Sequence, residues 1–216
     1  ETWQKLSKLS QISKFYLAGG TGLALQIGHR RSINFDFFSK QDRLLVDTRE
    51  EIKSFLKKYN TIKLFQDKDN TLDMSFGNTR ISFFYYPYKL VKPLNTLNKI
   101  KLASIEDIAL MKISTIINRG SKKDFVDLYF ACQQIPLERL FAVATRKFPD
   151  VYNFSVCALK ALTYFRDAEL EKMPVMLKQI SWSEIKKFFI DSAKNIVIKC
   201  KNSLTRYLIF GNVYLH

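Results

Sequence analysis

Carboxylates are scarce in this 216-residue chain: 20 Asp and Glu stand against 35 Lys and Arg, a formal net charge of +15. That surplus, with 14% aromatic residues, suits a nucleic acid or another polyanion as partner. Cysteine is sparse as well. Cys132, Cys157 and Cys200 are odd in number, widely spaced and without a C-x-x-C pair, so neither a disulfide framework nor a zinc site is indicated and a reducing cytoplasm fits. No apolar run reaches membrane-spanning length, no signal peptide is evident, and there is no internal repeat or low-complexity tract. The expectation is a cytoplasmic protein with no membrane role. What the chain does have is 47% hydrophobic content, enough to give one large domain or two small ones a real core.

Glycine is rationed too, and four of the seven fall between Phe15 and Ser39. Phe15 to Ala18 suits a short strand, Gly19-Gly20 a sharp turn and Thr21 to Ile27 a short helix. A glycine turn feeding a helix start leaves backbone N–H groups and the positive end of the helix dipole facing outward, an arrangement that favours phosphate oxygens. No lysine follows the turn, so it is not a P-loop. Leu25 stands where a dinucleotide fingerprint needs its third small residue. Beyond Gly28, Ile33 to Phe37 alternates apolar and polar side chains, which predicts a strand with Asn34 and Asp36 on one face. Two oxygen-bearing side chains so spaced can point at one metal ion.

Helices are expected over Thr2–Ser13 and Thr48–Tyr59, the latter with Lys53, Lys57 and Lys58 outside its apolar face. Strands are expected over Ile62–Gln66, Thr71–Phe76 and Arg80–Tyr86, with a hairpin turn at Gly77-Asn78. Pro87 and Pro93 bracket a basic linker ending near Ala103, after which the pattern turns helical. The helix from Ser104 to Asn118 or Arg119 sets Lys112 and Arg119 seven residues apart as a cationic ridge beside its buried face. Ser121 can cap the next helix with Asp124 as its box partner, and Asp127 lies one turn further along the same face, needing Lys112 or Arg119 as a partner. Further helices are predicted at Leu137–Lys147, Tyr152–Phe165 and Trp182–Ala193, the last opened by Ser181-x-x-Glu184. Lys199, Lys201 and Arg206 keep the tail basic.

The G-G-T-x-L-A-L run at 19–25, G-H-R-x-S at 28–32, the D-F-F that starts at Asp36 and the K-D-x-x-D-L at 123–128 resemble the AbiEii/AbiGii family of nucleotidyltransferases, toxins of bacterial toxin–antitoxin and phage-defence systems. The resemblance implies an α+β architecture: a polymerase-β-like nucleotidyltransferase domain with a small mixed sheet over 1–103, then a helical domain over 104–216. It implies transfer of a nucleoside monophosphate from an NTP to a hydroxyl of RNA, such as a tRNA end, or of a protein, with Mg²⁺ as cofactor and a cognate antitoxin as partner. By the same resemblance Gly19, Gly20, Thr21, Arg30, Ser32, Lys112 and Arg119 would bind nucleotide, Asn34 and Asp36 the metal, and Asp36, Lys112 and Asp127 would serve catalysis, Asp127 by orienting the cation or by helping to activate the incoming hydroxyl, supported by Lys123 and Asp124. These groups are expected to converge on one triphosphate. The chain departs from the family at Asn34, which replaces the first metal-binding aspartate, and Ile81–Tyr85 carries no third carboxylate; nearby Asp73 reads as a surface residue. The alternative is therefore a catalytically degenerate protein of this fold that binds RNA or an antitoxin.

Overall fold

The computed structural model describes residues 1–201, except the side chains of residues 200 and 201. Expectations for Arg206 and the tail beyond 201, and for the side chains of Cys200 and Lys201, fall outside the described residues. The chain divides into two compact units, Glu1–Gln26 with Ser32–Ser104 and Ile27–Arg31 with the segment from Ile105 onward.

The first unit opens with α1 (Thr2–Leu6) and a 3₁₀ turn (Ser10–Lys14) where sequence periodicity predicts one continuous helix. β1 (Tyr16–Ala18) then runs straight into α2 (Gly19–Ile27), because Gly19 takes the bend itself at φ +61°. β2 (Phe35–Ser39), α3 (Val46–Lys57), β3 (Ile62–Lys68), β4 (Thr71–Phe76), β5 (Thr79–Tyr85), β6 (Asn95–Leu97) and β7 (Ile100–Leu102) follow. The strands form one seven-stranded mixed sheet in the order β3-β4-β5-β2-β1-β7-β6. β1 pairs antiparallel with β2 and parallel with β7, and β2 pairs parallel with β5. The 87–103 stretch is thus more than a linker, since it contributes the two strands at one edge of the sheet.

Alternation along the strands sorts the faces. Phe37 and Phe83 stack with ring centroids 5.2 Å apart and join Phe15, Leu17, Leu72, Met74 and Ile81 in the core. Ile52 and Leu56 of α3 bury there too, whereas Tyr59 is exposed. Lys53, expected outside, is 6% exposed, because Glu50 and Asp67 of β3 both hold its ammonium; Arg49 is buried beside it on Asp67 and Asp69.

In the second unit, α4 (Ile105–Asn118) is followed by α5 (Lys122–Cys132), α6 (Leu137–Lys147), α7 (Phe154–Leu162), α8 (Arg166–Glu169) and α9 (Trp182–Lys201). Gly120 ends the α4 segment at φ +53°. Phe125 sits among Phe165, Trp182 and Phe189 at centroid distances of 5.2, 5.8 and 5.6 Å, which fastens α5 to α9. Ser181 and Glu184 cap α9 reciprocally: the Ser181 N–H donates to the Glu184 carboxylate at 2.9 Å, and Glu184 N–H donates to Ser181 Oγ at 3.2 Å.

Candidate active site

In the first unit, the strand-to-helix bend is built around one carboxylate. Asp36 of β2 lies opposite Ala18 of β1, and a Cβ built on Gly19 would come within 2.7 Å of Asp36 Oδ2. Glycine is therefore needed at 19 for two reasons: the positive φ and the acid that occupies the space of its missing side chain. The result is a half-buried carboxylate at the start of α2, where the helix N–H groups and dipole favour anionic oxygen.

Thr21 is 4% exposed, and its hydroxyl is committed inside the unit, 2.8 Å from Ser32 Oγ and donating to the Asn34 carbonyl. These bonds tie the 32–34 segment to α2. The hydroxyls of Thr21 and Ser32 thus serve the scaffold. Asn34 is a correction: it stands one residue before β2 and is exposed, whereas Asp36 is half-buried within the strand.

Asp73 is a second correction. It faces Ser82 in the β4–β5 register, and Ser82 faces Asp36 in the β5–β2 register, so the three form one cross-strand row. Asp73 is 5% exposed, not a surface residue, and takes hydrogen bonds from Arg80 Nε at 2.9 Å, Arg80 Nη2 at 2.5 Å and Ser82 Oγ at 2.9 Å. Burial pushes its carboxyl up, but the bonds from Arg80 and Ser82 outweigh that and hold it below the usual carboxylate range. The sequence signal was an acid between the buried positions Leu72 and Met74, with an arginine two residues before its cross-strand partner.

In the second unit, Asp127 is fully buried and saturated. Oδ1 accepts from His29 Nε2 at 2.7 Å and Arg30 Nε at 2.6 Å, while Oδ2 accepts from Arg30 Nη2 at 2.9 Å and pairs with Lys112 Nζ at 2.6 Å. Lys112 also donates to Asp124 Oδ1 at 2.8 Å, and Asp124 Oδ2 accepts from Ser121 Oγ at 2.5 Å with Arg119 Nε 3.5 Å away. Ser121 thus spends its hydroxyl on Asp124 and not on a backbone cap; a Glu171 oxygen accepts the Lys122 N–H at 2.9 Å.

Burial pushes the Asp127 carboxyl up, yet the Lys112 charge and the hydrogen bonds from Arg30 and His29 prevail and hold it far below the ordinary range. Asp124 is lowered in the same way, with Lys112 as the main opponent of burial. For Lys112, burial favours the neutral amine, but the two aspartates overcome it and raise its pKa. Both oxygens of Asp127 are engaged by His29, Arg30 and Lys112, which suits this carboxylate to holding those groups and not to taking a proton from an incoming hydroxyl. Of the two roles expected of Asp127, its contacts suit orienting a cation, and Arg30 gives Nε and Nη2 to the same carboxylate. His29, which the motif included without a role, is the buried partner that sequence reading missed. These contacts, with the bridge between Arg30 and Met176, place 27–31 in the helical unit. Lys123 is exposed on α5 and outside the cluster.

Three cations, Arg30, Lys112 and Arg119, stand against two aspartates, leaving a positive surplus whose exposed member is Arg119. Among the described residues no three His, Cys, Asp or Glu side chains gather so as to hold a metal ion, and no helix is long and apolar enough to cross a membrane.

A family model described as "Nucleotidyl transferase AbiEii toxin, Type IV TA system" matches residues 71–197. The uncharacterized protein aq_aa25 of Aquifex aeolicus is 35% identical over 194 residues, spanning 88% of this chain and 91% of that one. Among solved structures, MenT4, a nucleotidyltransferase toxin of Mycobacterium tuberculosis, matches with a TM-score of 0.61 at 10% identity, covering 98% of this chain and 86% of its own. JHP933 from Helicobacter pylori matches with a TM-score of 0.55 at 18% identity, covering 93% and 90%. At such identities the likeness is one of fold.

Proposed function

The chain belongs to the AbiEii nucleotidyl transferase toxin family, and from that membership we propose that it transfers a nucleoside monophosphate from an NTP to a hydroxyl of RNA. The observation that carries the reading is the Asp36 carboxylate packed against Gly19 at the start of α2. It puts an acidic ligand beside backbone N–H groups suited to phosphate oxygens. The backbone of Gly19, Gly20 and Thr21 would hold the terminal phosphates, and in the helical unit Lys112, held by Asp124 and Asp127, is the cation suited to offset phosphate charge. Asp127 and Asp124 fix Lys112 in place, Arg30 and His29 fix Asp127, and Thr21 ties down the 32–34 segment.

Mg²⁺ is bound in such sites through one or two carboxylates plus substrate phosphates, and Asp36 with the amide oxygen of Asn34 meets the lower end of that requirement. When bound, the ion neutralises triphosphate charge and stabilises the attacking and leaving oxygens. A protein hydroxyl is the other acceptor class. An NTP substrate makes the cytoplasm the working compartment, and the family's toxin–antitoxin setting makes a separately encoded antitoxin the expected partner.

Asn34 supports a second reading, an RNA- or antitoxin-binding protein of this fold without catalysis. The two separate in one experiment: Mg²⁺-dependent transfer of label from each α-labelled NTP to total RNA and to protein, by the chain as it stands, by Asn34→Asp and by Asp36→Ala. Because Asn34 is exposed and outside β2, Asn34→Asp should leave the fold intact and raise transfer at least tenfold, while Asp36→Ala abolishes it. A folded Asn34→Asp protein inert with every NTP and acceptor leaves only the binding reading.

A further inference from the structure

The helical unit carries a cleft of about 480 Å³ at the C-terminal end of α4, bounded by α7 and by Tyr164 and Asp167. Its size lies within the ~300–1,000 Å³ of small-ligand sites. Ile116 and Ala161 form an apolar floor, and the Tyr164 ring beside them is 54% exposed. Arg119 and Lys160 line the same cleft and are both exposed. Arg119 Nε lies 3.5 Å from Asp124 Oδ2, yet the side chain is 63% exposed and so is open to another anion.

We propose that this cleft binds one nucleotide of the single-stranded acceptor RNA, with the base stacked on Tyr164 and the flanking phosphates on Arg119 and Lys160. An aromatic face between two cations matches a base with its phosphates better than it matches a purely apolar or purely anionic ligand. Asp167 gives the ribose 2′-hydroxyl an acceptor, a contact that DNA lacks. The inference rests on RNA as the acceptor in the reading above. Its test needs neither NTP nor metal, so it can fail while transfer activity stands, and transfer can fail while it holds.

Cys157, an exposed free thiol in the same lining, is the reporter. A short single-stranded oligoribonucleotide should slow its alkylation several-fold in the unaltered protein, read at the Cys157 peptide by mass spectrometry, and the DNA of the same sequence should protect less. In anisotropy titrations Tyr164→Ala should weaken binding at least about fivefold. Lys160→Gln should weaken it and flatten the salt dependence by about 0.7 in slope. Alkylation of Cys157 at an unchanged rate under saturating RNA, or binding indifferent to both substitutions, overturns the proposal, as does protection that comes only from a protein partner.

Discussion

At the scale of single residues, Gly19 and Asp36 form a pair that mutation can separate. Gly19→Ala must adopt a left-handed backbone, at a cost of about 1–2 kcal/mol, and must also displace the Asp36 carboxylate from 2.7 Å. In an Asp36→Ala background the second term disappears. The cycle of the two substitutions, measured by urea unfolding, should therefore show a coupling of about 0.5–3 kcal/mol; strict additivity would mean that the acid does not fill the glycine's space. Asp127 makes a different prediction. Asp127→Asn leaves Lys112, Arg30 and His29 buried around a neutral amide, so a loss of about 3–5 kcal/mol is expected at pH 7. Its folded pKa is depressed, as is that of Asp124, so their contribution is complete above the unfolded value of about 4 and is lost as pH falls through the folded values. Unfolding midpoints across the acid range should accordingly decline less steeply in Asp127→Asn than in the parent, and parallel declines would contradict the assignment.

At the scale of elements, α4 and α6 are joined by an ion pair that does not belong to the candidate site. Lys147 Nζ and Asp107 Oδ1 are 2.8 Å apart and both side chains are fully buried. Burial pushes the Lys147 amine down against the pull of Asp107, and removing two charges from water is costly enough that such a pair need not be net stabilising. Asp107→Leu alone should cost about 3–5 kcal/mol by removing the counter-charge of a buried lysine, whereas Asp107→Leu with Lys147→Met should return to within about 1–2 kcal/mol of the parent or exceed it. Equal losses in the single and the double variant, by thermal and urea unfolding, would show instead that the charges are net stabilising. Such pairs mark where reading the sequence runs out. The β4–β5 hairpin and α4 were legible because their patterns repeat over several residues and end at Gly77 and Gly120. β6 and β7 were not, being three residues each: β7 is defined by pairing with β1, some eighty positions earlier, and β6 by pairing with β7. Lys53 and Asp73 read as surface groups because Asp67 and Arg80, which help to bury them, lie on other elements, and spacing along the chain brings them together only once the strand pairing is known. The Gly19 bend was visible for the same reason α4 was: a local conformational demand leaves a local residue choice.

At the scale of the whole molecule, the surplus of positive charge acts on stability and on binding with opposite signs. Like charges repel in the compact state, and exposed charges are screened by salt far more than buried pairs such as Lys112 with Asp127. Raising NaCl from low to moderate concentration should therefore raise the melting temperature by a few degrees while RNA affinity falls. If RNA neutralises three or more cations, the plot of log affinity against log salt should be linear with a slope of about −2 or steeper, at about −0.7 per phosphate for a single strand. Lysines that merely solubilise the chain would give the same gain in melting temperature with an affinity that is weak at every salt concentration and has no common slope among RNA sequences. The paired measurement on one preparation thus assigns the +15 charge to recognition or to solubility, independently of whether any nucleotide is transferred.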